Sequence, residues 1–244
     1  MFNVGFGLDS APLLWELDDI EHRQLPFVQM LAATRLAQRV KKGMLPVMKA
    51  RLDRPTPTTM NSLFVKAATK AGKPAEVYFK DSWASGVPAD VYLQQAVSGG
   101  MRPHKRFEKA LIARGVMQAS EYAVPTAQFM NQYGNVSRGT MTKILSGLGA
   151  SETRSGYQAN ASDSARSKRK GNAHRFFSGE VDGTRAVWER KTKGDEVRPV
   201  FVFSASAPRY RTIFPFFKIG QNIVKAGYSA EVAQAFADAR ATSR

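Results

Sequence analysis

The chain contains no cysteine. Disulfides, thiolate metal sites and cysteine nucleophiles are therefore excluded. Histidine is almost as scarce: His22, His104 and His174 are the whole set, and no two stand at metal-ligand spacing. No HExxH, GxxxxGK[ST] or GxSxG sequence occurs, so zincin, P-loop and hydrolase-elbow chemistry lack their residues. Gly5 and Gly7 do not complete a dinucleotide fingerprint. No apolar run reaches the roughly 18 residues of a membrane-spanning helix. The opening MFNVGFGLDSAPLLWELDD lacks the basic start of a signal peptide. Asp18 and Asp19 read as acids at a helix start. With Asp81 and Glu108 they form no set of metal-binding carboxylates of the kind a nuclease uses. The sequence therefore predicts no catalytic residues, no cofactor and no metal.

Acids are also in deficit, with 20 Asp and Glu against 36 Lys and Arg, a net charge of +16. Such a balance favours anionic partners. Hydrophobic residues make up 43% of the 244, enough for a buried core. The basic residues gather in places. Arg102, Lys105, Arg106 and Lys109 form one cluster, with His104 inside it. Arg166, Lys168, Arg169 and Lys170 form a second, and Arg209 and Arg211 flank Tyr210. The first two are the candidate contacts for an anionic partner. On a helix spanning 103–113, Arg102, Arg106 and Lys109 would share one face.

Apolar periodicity predicts a helix over 13–50, with Phe27, Met30, Leu31, Thr34, Ala37, Val40, Met44 and Val47 as its stripe. Pro26 suits a first turn, and Arg54-Pro55-Thr56-Pro57 ends the pattern. Thr58 or Thr59 would cap a short helix. Phe64–Thr69 and Ala75–Lys80 read as an antiparallel strand pair. Helices are expected over 88–97, 103–113 and 139–148, and a short strand at Tyr122–Pro125. Phe176-Phe177, Arg185–Glu189 and Val200–Phe203 read as a meander turning at Asp182-Gly183 and Lys193-Gly194-Asp195. Between them, 149–174 is rich in Ser, Ala, Gly and charge with almost no large aliphatic residue, so a flexible loop is expected. Near the end, Phe216, Ile219, Ile223 and Val224 precede Gly227, and Ser229 is placed to cap a separate helix over 231–240. The fold class expected is α+β: one domain over 1–244, a mainly antiparallel sheet packed with N-terminal and C-terminal helices, and a long basic flexible insertion.

The segments RPTPTTMNSLFVKAATK, FKD, GVPADVYLQQAVSGG, KRFEKAL, YAVP and YGNVSRG, within residues 20–150, resemble minor tail and tail-completion (neck) proteins of tailed bacteriophages. The order of features is similar to the lambda minor tail protein Z type, from which this chain departs at 149–174. The resemblance implies a structural, non-enzymatic virion protein at the head–tail junction or in the tail, assembled in the bacterial cytoplasm. Its implied partners are copies of itself in a ring and neighbouring portal, adaptor or tail proteins, with non-specific contact to packaged DNA and no membrane. A phage-encoded DNA-binding protein using the basic clusters is the alternative. A ring subunit needs exposed apolar anchors, and Phe2, Phe6, Trp15, Phe214, Phe216 and Phe217 are candidates.

Overall fold

The structure is a computed structural model, and it describes residues 24–82, 86–151, 160–191 and 196–242. In chain order the elements are α1 (Leu25–Arg51), α2 (Pro57–Met60), β1 (Leu63–Lys66), β2 (Glu76–Phe79), α3 (Ala89–Ser98) and β3 (Gly100–Met101). There follow α4 (Arg106–Ala113), β4 (Tyr122–Pro125), α5 (Arg138–Gly147), α6 (Ala165–Lys170) and α7 (Asn172–Arg175). The chain continues through β5 (Phe176–Val181), β6 (Thr184–Arg190), β7 (Val197–Ser204), β8 (Arg209–Tyr210) and α8 (Phe216–Thr242). All strand pairings among the described residues are antiparallel, so the α+β class holds. The residues group into two compact units, 1–97 with 213–244 and 98–212, where the sequence read one domain.

In the first unit, the N-terminal α1 and the C-terminal α8 pack on each other and on the two-stranded sheet β1-β2. The core there joins Val40, Met44, Met48, Leu63 and Phe214, with Phe79, Ile219 and Ile223 against it. A second cluster unites Val28 and Ala32 of α1 with Ala235 and Ala239 of α8. Small residues let the helices approach: a methyl on Gly43 would stand 2.7 Å from the Ile223 side chain. The fully buried stripe of α1 is Val28, Ala32, Leu36, Ala37, Val40, Met44 and Met48. It is rotated from the expected one, because α1 meets a helix on one side and the small sheet on another. Part of the expected helix, 13–23, lies outside the described residues. Thr56, not Thr58 or Thr59, caps α2, its hydroxyl accepting from the Thr59 N–H.

The second unit is built on a four-stranded sheet in the order β4-β7-β6-β5. One core unites Leu111 of α4, Ile144 of α5 and Phe176, Val187, Val200 and Phe201 of the sheet. The β5–β6 hairpin turns at Asp182-Gly183, both at positive φ, as that dipeptide predicts. The other predicted turn, 193–195, lies outside the described residues. At the unit's two ends, β3 pairs with β8, Gly100 facing Tyr210 and Met101 facing Arg209.

The expected break in the C-terminal helix is corrected. Gly227 and Ser229 do not break the C-terminal segment, which is one continuous helix of 27 residues. Of the segment 149–174, residues 152–159 lie outside the described residues; the rest contains α6 and α7, joined at the left-handed Gly171. Ser164 caps α6 through its hydroxyl, which is what starts a helix in so polar a stretch.

Candidate functional site

The first basic cluster does not form one helical face. Helix α4 begins at Arg106, so Arg102 lies before it and points inward, 8% exposed. Its guanidinium forks onto Glu108, two hydrogen bonds of 2.6 Å each, and its central carbon lies 5.0 Å from the centre of the Tyr122 ring. Glu108 is 1% exposed and takes two further N–H donors, Lys105 at 2.6 Å and Ala123 at 2.9 Å. Burial pushes the Glu108 pKa up, but the Arg102 hydrogen bonds, the two backbone donors and the Arg102 charge outweigh it and hold the carboxyl below its usual range. Arg102 is thus engaged inside the unit and leaves the surface set. Lys105, Arg106 and Lys109 remain exposed. His104 donates from Nε2 to the Glu121 carbonyl, 2.9 Å, and stacks on Tyr122.

The second cluster is an exposed surface. Arg166, Lys168, Arg169 and Lys170 lie on α6 and are all exposed. Lys168 reaches Asp163 at 3.8 Å. What sequence reading did not anticipate is the company α6 keeps. Helix α7 runs straight into β5, and Arg190 at the end of β6 donates to the His174 carbonyl at 2.9 Å. Arg175 and Arg198 share the buried carboxylate of Glu189, at 2.5 and 2.7 Å. These arginines come from three segments, so no local charge count could have grouped them. The strand register alone unites them, Phe176 facing Glu189 and Glu189 facing Arg198.

Charge is unequal between the units. Residues 98–212 hold 20 Lys and Arg against nine Asp and Glu, so they carry +11 of the chain's +16. Of those acids, Glu108, Glu121 and Glu189 are consumed by arginines within the unit.

A different surface stands out in the first unit. On α8, Phe217, Val224 and Tyr228 recur at steps of seven and four, which places them on one helical face. They are 72%, 36% and 57% exposed. Phe214, by contrast, is buried, and Phe216 packs against Phe79. Phe2, Phe6 and Trp15 lie outside the described residues.

Among the described residues no group of three or more His, Asp or Glu is arranged to hold a metal ion. No described helix is long and apolar enough to cross a membrane. Comparison with protein families, curated proteins and solved structures finds no match to this chain.

Proposed function

We propose that this chain is a structural protein of a tailed bacteriophage particle, acting at the head–tail junction or in the tail as one copy in a ring. In this reading it holds copies of itself and portal, adaptor or tail neighbours together, in a particle assembled in the host cytoplasm, and performs no reaction. The phage-like segments between 20 and 150 support it, from RPTPTTMNSLFVKAATK to YGNVSRG.

The observation that carries the reading is the apolar face of α8. Scattered exposed hydrophobics are ordinary, but Phe217, Val224 and Tyr228 line up on one face of a helix about 40 Å long. Exposed apolar side chains, two of them aromatic, set along one helical face are the kind of anchor an association surface uses. Such a face gives a subunit an anchor that a neighbouring copy can cover.

Two measurements test it. Light scattering on the purified full chain should give a defined oligomer, and Phe217→Asp with Tyr228→Asp should give a monomer that keeps its helical spectrum. Mass analysis of purified phage particles should find the chain. A wild-type monomer at every concentration, together with absence from particles, overturns the reading.

A further inference from the structure

We infer that the end of the four-stranded sheet bearing α6 and α7 is a docking surface for the phosphate backbone of duplex DNA. The inference goes beyond the ring reading and does not depend on it. The surface is assembled from Arg166, Arg169 and Lys170 on α6, Arg175 at the end of α7, Arg190 at the end of β6 and Arg198 at the start of β7. Three links in the geometry bring them together. Helix α7 leads into β5; Arg190 is bonded to the His174 carbonyl; Arg175 and Arg198 meet on Glu189.

The surface stays strongly positive. One buried carboxylate, Glu189, serves both Arg175 and Arg198. Arg166, Arg169 and Lys170 stand at steps of three and one, on one face of α6, and make no ion pair among the described residues. Lys168 and Lys191 do have acidic partners, Asp163 and Glu196, and are left out of the set.

Two features select DNA backbone over an acidic protein and duplex over single strand. Protein interfaces are anchored by exposed aromatic or aliphatic side chains at their centre. The described residues between 160 and 204 include no exposed large hydrophobic side chain. A partner here would find charge and hydrogen-bond donors alone, which is how proteins hold a phosphate backbone without reading its bases. Single strands are gripped by stacking bases on open aromatic faces. Here the rings are already covered: Arg190 lies 4.2 Å over Phe177, Arg198 4.6 Å over Phe129 and Arg175 5.4 Å over Phe176. These cation–π contacts restrain the guanidinium groups, so less side-chain freedom is lost when phosphates arrive.

The test is fluorescence anisotropy of a labelled duplex of about 30 bp with the purified full chain, between about 50 and about 200 mM salt. Arg166→Ala, Arg169→Ala and Lys170→Ala combined should weaken binding at least tenfold. It should also lower the slope of log affinity against log salt by about 2 to 3, since each lost phosphate contact contributes about 0.9. Lys42→Ala, Lys49→Ala and Lys73→Ala combined remove the same charge from the first unit and should change binding less than threefold. Arg190→Gln, with its circular dichroism unchanged, should weaken binding without touching α6. Duplex binding that is absent, equal in the α6 variant, or lost equally in the Lys42/Lys49/Lys73 variant overturns the inference. So does a single strand or polyglutamate held as tightly as the duplex; polyglutamate binding would assign the surface to an acidic protein.

Discussion

Glu108 receives four donors while almost wholly buried: two from Arg102 and one each from the Lys105 and Ala123 N–H groups. It caps α4 from its third position. It also takes the Ala123 N–H of β4, an edge strand, and so closes a site where another strand might pair. Removing Arg102 leaves that carboxylate buried and half-unpaired. Arg102→Ala should therefore cost about 3–5 kcal/mol in urea unfolding, whereas exposed Lys109→Ala should stay within about 0.5 kcal/mol. Similar small effects for both would place Arg102 on the surface after all. The depressed Glu108 pKa has a signed consequence. The unfolded chain binds the proton more readily than the fold does, so this stabilisation is present above the ordinary glutamate range of about 4.3 and is lost as pH falls below it, through the folded value. Glu108→Gln should flatten that part of the stability–pH curve. None of this was legible in the sequence: Arg102 reads there as a surface cation sharing a face with Arg106 and Lys109, because the helix expected over 103–113 starts only at Arg106. Gly147 makes the same point in reverse. In a helix, Ala is intrinsically better than Gly by about 1 kcal/mol, yet a methyl here would stand 2.4 Å from the Asn172 carbonyl oxygen of α7. Gly147→Ala should lower the unfolding midpoint, with a net cost of about 1–3 kcal/mol; a rise would mean that α5 and α7 do not touch.

Periodicity located most elements. Strands β1, β2 and β4, the β5–β6 hairpin and helices α3, α4 and α5 fall within a few residues of where alternation and turn residues put them. The failures have a common cause, that a capping residue and a packing glycine look alike in one dimension. Gly227 followed by Ser229 reads as a stop and a start. In the fold, Gly227 sits where a methyl would stand 3.0 Å from the Arg39 side chain, so it serves the close crossing of α1 and α8. Arg35 and Arg39 then reach across to Asp238 and Glu231. The two readings of Ser229 predict opposite signs. As an N-cap, Ser229→Ala would cost about 1 kcal/mol. As an exposed interior position of α8 it should be neutral or gain a few tenths of a kcal/mol, by helix propensity. Thermal unfolding of Ser229→Ala decides between them, and a lowered midpoint would restore the break. Along the same pair of helices, Met44 is fully buried against the α8 side. Met44→Ala should cost about 2–5 kcal/mol.

At the scale of the whole chain, composition reported a net charge of +16 but not its concentration in residues 98–212. That partition follows from long-range connectivity. The first unit is interrupted after Val97 and resumed at Ile213, where the Ile213 and Phe214 N–H groups both donate to the Ala96 carbonyl. A single pass along the sequence sees helices at both ends with a sheet between, and counts one domain. Each unit, however, has its own buried cluster, Met48 with Leu63 and Phe214 in one and Leu111 with Ile144 and Val187 in the other. Cores that share no members should open separately. Leu111→Ala should cost about 2–5 kcal/mol, since Leu111 is fully buried. In hydrogen exchange followed by mass spectrometry, that loss should accelerate exchange in α4, α5 and β4 to β7. Protection in α1 and α8 should stay where it was. Met48→Ala should do the converse, and the two costs should add within about 0.5 kcal/mol in the double variant. If either substitution accelerates exchange evenly along the whole chain, the two cores unfold as one, and the single domain that the sequence suggests is the correct cooperative unit.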